Sequence, residues 1–189
     1  TWYYTDAISD NTVKHLESHF KSHADKPFFH YVAYTSAHWP MHALPQDIAK
    51  YDGNYDGGYA PAYQARLKKM KQLGLIDSKW EIPGPVGDWS KVELKEWESA
   101  CMEVYAAMVD NMDQGIGRIV KCLEEHKQLD NTLIFYLQDN GGCAEGFGRH
   151  KPRKEYRTDY KPLGRDGFQT KIWPPMQTRD GRPVKNGPD

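Results

Sequence analysis

Two short apolar runs constrain the fold of this chain more than any other feature. Phe28-Phe29-His30-Tyr31-Val32-Ala33-Tyr34 and Thr132-Leu133-Ile134-Phe135-Tyr136-Leu137 are aromatic and β-branched, and both are shorter than an ordinary helix. Their near-continuous apolar character fits strands buried on both faces, as in a parallel sheet. Each run ends in polar chemistry. The first delivers Thr35-Ser36-Ala37-His38-Trp39-Pro40, and the second delivers Gln138-Asp139-Asn140-Gly141-Gly142. Open α/β sheets bind metals and substrates at the C-terminal ends of their strands.

Helical patterns surround these runs. Ile8, Val13, Leu16 and Phe20 recur at helical spacing after Thr5-Asp6, predicting an amphipathic helix that ends before Pro27. Residues 59–73 predict a second helix stopped by Gly74, and Ile82-Pro83-Gly84-Pro85 reads as a linker. Ser90-x-x-Glu93 is a capping-box pattern, predicted to open a long helix that runs to about His126. Its expected buried stripe is Val104, Ala107, Met108, Met112, Ile116, Ile119, Val120 and Leu123. Asp110 and Asp113 fall three apart on that helix and are read as surface contacts rather than a metal pair. Tyr55-Asp56-Gly57-Gly58-Tyr59 reads as a turn whose aromatics pack rather than bind sugar. Strand, helices and strand in this order predict a crossover unit with parallel strands, which brings His38 and Asp139 to one sheet edge.

The hydrophobic fraction of 39% with 13% aromatics excludes a disordered chain. No apolar stretch approaches the length of about 18 residues that a membrane span requires. Cys101, Cys122 and Cys143 form no C-x-x-C pair and have no adjacent His, which argues against a thiolate metal site; Cys101 and Cys122 are expected to pack. Residues 149–189 hold 11 Lys and Arg against 5 acids and show no periodicity, predicting a basic Pro/Gly-rich loop or insertion beside a domain over residues 1–148. The sequence starts without Met and is expected to be an internal part of something longer, so it carries no information about a targeting peptide.

Asp139 offers carboxylate oxygens and Asn140 an amide oxygen, while Gly141 and Gly142 permit a sharp turn beside them. Such a donor set suits a hard divalent cation. The competing reading is an ordinary strand-end turn, because Asp, Asn and Gly dominate turns.

Three blocks in order carry a family resemblance. Pro27-Phe28-Phe29-His30-Tyr31-Val32-Ala33-Tyr34-Thr35-Ser36-Ala37-His38-Trp39-Pro40, with Asp47-Ile48-Ala49-Lys50-Tyr51 after it, resembles the middle of a sulfatase of the arylsulfatase type, in the alkaline phosphatase superfamily. Tyr105-Ala106-Ala107-Met108-Val109-Asp110-Asn111-Met112-Asp113-Gln114-Gly115-Ile116-Gly117 is similar to the same family, as is the stretch from Asp130 to Glu145. The resemblance implies a three-layer α/β/α sandwich with a mostly parallel sheet, of which this chain holds the central part. It implies hydrolysis of sulfate esters around one calcium ion, with a formylglycine nucleophile. Asp139 and Asn140 match two metal ligands, and His38 matches a histidine near the leaving oxygen. His42 is a weaker substrate-contact candidate.

The family's nucleophile segment, C-x-P-x-R or C-x-A-x-R, is absent from residues 1–189, as are counterparts of its early acidic ligands and its late Lys. This chain alone is therefore expected to lack activity and to bind calcium weakly. The implied partner is a sulfated small molecule or glycan, not nucleic acid, in a secreted, periplasmic or lysosomal setting; oligomeric state is not legible. Two alternatives stand beside this reading. One is a phosphodiesterase or phosphonate monoesterase of the same superfamily, which characteristically has Asp-His where Asp139-Asn140 stands. The other is a degenerate, non-catalytic sulfatase module.

Overall fold

A computed structural model describes residues 2–38, 41–85 and 87–142. Four α-helices carry the described structure: α1 (Tyr4–Ser22), the single turn α2 (Pro45–Ile48), α3 (Tyr59–Gln72) and the 31-residue α4 (Lys95–Glu125). Short 3-10 turns lie at Ala49–Tyr51, Trp89–Lys91 and Leu129–Asn131. Helix α4 is the spine, with α1 and α2 both packed along it.

The core follows from one stripe on α4. Val104, Ala107, Met108, Met112 and Leu123 are buried, as the periodicity predicts, and Cys101 and Cys122 are buried free thiols. Leu16, Cys122 and Leu123 form a cluster, closed by Val13, Phe20, Phe28, Ile119 and Leu129. Burial pushes the Cys122 thiol up, which keeps it protonated and inert.

On α1 the fully buried positions match the hydrophobic pattern only at Leu16. Thr5, Ser9, Thr12 and Leu16 are buried, whereas Ile8, Val13 and Phe20 are only partly covered. Small hydroxyl residues let the two helices approach. Ser9 Oγ donates to the Thr5 carbonyl at 3.0 Å, and Thr12 Oγ1 donates to the Ile8 carbonyl at 2.9 Å, so neither hydroxyl is buried unpaired. Gly115 of α4 faces this stripe, and a Cβ there would stand 2.1 Å from Ser9 Oγ. Only glycine fits that crossing.

The helix boundaries also need one correction. Ser90 and Glu93 do not open the long helix as a capping box, because α4 begins at Lys95. Ser90 instead lies in the preceding 3-10 turn, where Asp88 Oδ1 accepts from the Ser90 N–H at 3.0 Å and the Ser90 hydroxyl at 2.6 Å. Asp88 outcompetes Glu93 by being two residues from the donor rather than across a full turn. The second predicted helix forms and stops as expected, with Gly74 at φ +69° after α3.

The expected sheet is not formed among the described residues, where no strand is assigned. Residues 28–34 and 133–137 do not pair into a ladder. Phe29 is 93% exposed and Leu137 80% exposed, so both runs lack the two-sided cover that their sequences call for. A buried extended segment needs a neighbouring strand to satisfy its backbone, and these two do not supply each other.

Candidate active site

Tyr34 and Ser36, which precede His38, are tied to α1 by hydroxyl contacts, and His42 is tied to Tyr3 at the start of that helix. Ser9 Oγ and Tyr34 Oη share a hydrogen bond at 2.8 Å, and Thr5 Oγ1 and Ser36 Oγ share another at 2.8 Å. Tyr3 Oη donates to the His42 carbonyl at 2.7 Å. His38 thus sits between two anchor points, Ser36 and His42. Its own N–H donates to the Thr35 carbonyl at 2.9 Å, closing a turn that leaves the residue exposed. Burial is the largest cause holding the Tyr3 phenol above its usual range, with Asp6 and Asp47 adding to it, so Tyr3 remains a donor.

Beside these contacts lies a charged network that the sequence reading did not assemble. Asp47 of α2 is buried, and Lys50 bridges it to Asp110 of α4, with Nζ 2.8 Å from each carboxylate. Asn111, also buried, donates through Nδ2 to Asp6 Oδ1 at 3.3 Å and to Asp47 Oδ2 at 3.4 Å. Arg118 reaches Asp6 at 3.2 Å and Asp10 at 3.5 Å. The hydrogen bond from Lys50 holds the Asp110 carboxyl below the usual range, and Asp110 foremost raises the Lys50 ammonium. Asp110 makes a polar contact from the surface of α4, as its position there predicts. Its partner, 60 residues away, has no local sequence signal.

Asp139 and Asn140 follow the exposed run 133–137 and are themselves exposed. Asn140 Nδ2 donates to the Gly141 carbonyl at 2.8 Å, which fixes the amide so that its oxygen is left as an acceptor. Gln138 Nε2 donates to Tyr136 Oη at 2.7 Å, turned toward the preceding run. Asp139 enters no ion pair among the described residues. The donors present are all oxygen, the set a hard cation such as Ca²⁺ takes. Among the described residues, however, no three His, Cys, Asp or Glu side chains converge on a common point. Two ligands are far short of the six to eight oxygens such an ion collects. Residues 143–189, including Cys143 and the basic tail, lie outside the described residues, as do Trp39 and Pro40. No described helix is long and apolar enough to cross a membrane.

Comparison with known proteins agrees with the three blocks. The chain is 36% identical over 152 residues to an uncharacterised sulfatase of Schizosaccharomyces pombe, covering 77% of this chain and 26% of that protein. It is 30% identical over 177 residues to an arylsulfatase of Klebsiella aerogenes, covering 86% of this chain and 37% of the relative. An N-acetylglucosamine-6-sulfatase of Capra hircus matches at 27% over 139 residues, 74% of this chain and 22% of its own. The chain therefore spans between about a fifth and two-fifths of the length of these relatives. The family implies an alkaline-phosphatase-like α/β fold, of which the described residues show helices and no strand. The sulfatase family model matches residues 1–178, and the chain belongs to the sulfatase family.

Proposed function

We propose that the protein to which these residues belong hydrolyses sulfate esters, with Asp139 and Asn140 as two oxygen ligands of a calcium ion and His38 beside the leaving group. The observation that carries this reading is the sulfatase match over residues 1–178, which contains both polar segments that follow the apolar runs. When bound, the cation supplies neutralisation of sulfate charge and of charge developing on the nucleophile. The rest falls to side chains. Asp139 contributes formal negative charge to the site, and Asn140 contributes a neutral oxygen whose orientation is set by the Gly141 carbonyl. His38, held between the Ser36 and His42 anchors, donates a proton or hydrogen bond to the ester oxygen as the S–O bond breaks. His42 is a secondary substrate contact.

The nucleophile belongs to sequence outside residues 1–189, and a formylglycine made from Cys or Ser is the family's solution. Asn140 separates sulfate from phosphate chemistry in this proposal. An imidazole there favours zinc or manganese, whereas an amide oxygen favours calcium. The test is a substrate comparison using the protein extended to include the nucleophile segment. Turnover of 4-nitrophenyl sulfate should exceed that of bis(4-nitrophenyl) phosphate and disappear with a calcium chelator, and residues 1–189 alone should be inactive. Preference for the phosphate diester would overturn the reading, and turnover by residues 1–189 alone would overturn the placement of the nucleophile.

A further inference from the structure

Helix α3 differs from its neighbours in both charge and packing. It carries Arg66, Lys68, Lys69 and Lys71 and no acidic residue, whereas α4 carries seven acids against three bases. No residue of α3 is buried. Tyr59, Tyr63, Leu67 and Met70 take the half-covered side, held by a hydrogen bond from Tyr59 Oη to Glu98 Oε2 at 2.9 Å and another from Tyr63 Oη to the Pro83 carbonyl. Arg66 lies over the Tyr63 ring, its guanidinium carbon 5.8 Å from the ring centre. All four basic side chains are exposed, and among the described residues none of them enters an ion pair.

Apolar side chains stand out directly beyond this charge. Leu73 is 60% exposed, Leu75 63% and Trp80 59%. An ordered turn presents them. Gly74 at φ +69° ends the helix, with the Gly74 N–H donating to the Lys71 carbonyl at 3.1 Å and the Leu75 N–H to the Met70 carbonyl at 3.0 Å. Asp77 Oδ1 then accepts from the Lys79 N–H at 2.9 Å, and the Asp77 carbonyl accepts from the Trp80 N–H at 3.1 Å. Between Tyr59 and Ile82 only Asp77 and Glu81 are acidic, against five bases.

We infer that α3 and the turn after it form a docking surface for an anionic phospholipid bilayer. Charge complementarity and the adjoining apolar tip select this occupant. Four Lys and Arg on one amphipathic helix suit the phosphates of acidic headgroups, and their attraction adds along the surface. Leu75 and Trp80 suit the boundary between headgroups and acyl chains, where an indole ring is favoured and lysine stems lie with their ammonium groups toward phosphate. An acidic protein would pair the charges without calling for the apolar tip. A neutral surface would take the tip and leave the charges without partners. The inference is independent of sulfate hydrolysis, and it is read as partition between water and lipid.

Co-sedimentation of the 189-residue chain with lipid vesicles tests it. Vesicles of phosphatidylcholine and phosphatidylglycerol in a seven to three ratio should bind it at least tenfold more tightly than phosphatidylcholine alone, which reports adhesion through the exposed apolar runs. Raising the salt from 0.1 to 0.5 M should weaken binding to the anionic vesicles, because screening shortens the reach of the lysine charges. The combined exposed changes Lys68→Gln, Lys69→Gln and Lys71→Gln should weaken it at least tenfold, and Trp80→Ser alone at least threefold, with circular dichroism unchanged. Glutamine keeps the helix propensity of lysine while removing its charge. No binding to the anionic vesicles, equal binding to both kinds of vesicle, or binding unmoved by the lysine changes would each overturn the proposal. Capture of the chain by polyglutamate with none by the vesicles would also overturn it, and would assign the surface to an acidic protein.

Discussion

The two apolar runs are richer in hydrophobic residues than the α1–α4 pair, yet the structure buries a stripe of each helix and leaves the runs largely exposed. The helices close their backbone hydrogen bonds internally and then bury one face each, so Leu16, Met108 and Leu123 find cover within the described residues. Residues 28–34 and 133–137 have no such independence. A strand's hydrogen bonds lie in its neighbours, and without them Phe29, Leu133 and Phe135 remain exposed. Local sequence completes a helix pair, whereas a central strand is completed only by other strands.

The comparison is sharpest for two leucines. Leu123 is 3% exposed and Leu133 is 79% exposed. Leu123→Ala should cost about 2–5 kcal/mol in chemical denaturation, by lost transfer free energy and the cavity left behind. Leu133→Ala in the same 189-residue chain should lie within about 0.5 kcal/mol of zero. An equal cost at both positions would break the comparison, since it would mean that the second run is packed.

The crossing of α1 and α4 offers a test of intermediate size. Gly115→Ala places its methyl group against Ser9 Oγ and should destabilise by about 1–3 kcal/mol, despite the gain in helix propensity. Ser9→Gly in combination should recover part of that loss, measurable as non-additivity in a double-mutant cycle. Fully additive effects would show that the two helices do not meet there.

At the C-terminus of α4 the expected effect has the opposite sign. Lys127 adopts φ +57°, while the Lys127 and Gln128 N–H groups cap the Glu124 and Leu123 carbonyls at 2.9 and 2.8 Å. That left-handed position favours glycine, so Lys127→Gly should raise stability by up to about 1 kcal/mol in thermal unfolding. A loss of stability would mean that the Lys side chain matters more than its backbone angle.

The smallest effect concerns pH. Asp110 titrates below the ordinary carboxylate range because Lys50 donates to it, so its contribution to stability is complete above about pH 4. That contribution is lost as pH falls through the lowered folded value. The raised Lys50 ammonium contributes below the ordinary lysine range and loses its contribution only as pH rises through the folded value. Asp110→Asn should therefore flatten the acid limb of a urea-midpoint profile between pH 2 and 5 and leave the pH 6–8 plateau level. An unchanged acid limb would remove Asp110 from the network.

What was legible in the sequence follows the same division. The long helix and its buried stripe were legible because Val104, Met108 and Met112 repeat a period that the helix itself imposes. The buried face of α1 was legible only at Leu16, because the rest of its interface uses Thr5, Ser9 and Thr12, whose hydroxyls bond Ser36 (Thr5) or the preceding turn (Ser9 and Thr12) and carry no hydrophobic signal. Pairing of Lys50 with Asp110, and of Asn111 with Asp6 and Asp47, joins residues far apart in sequence and was invisible for that reason. His38, Asp139 and Asn140 were singled out by their position after apolar runs and by resemblance. The structure adds the α1 anchors around His38 and the amide geometry of Asn140.

The central claim is that Asp139 helps to hold a cation on which sulfate hydrolysis depends. Its most direct measurement is calcium-dependent release of 4-nitrophenol from 4-nitrophenyl sulfate by the protein carrying its nucleophile segment, compared between the native sequence and Asp139→Ala. The account predicts at least a hundredfold loss of kcat/KM in the variant, about 2.7 kcal/mol of transition-state stabilisation, partly restored by raised calcium. Undiminished turnover in Asp139→Ala would contradict it.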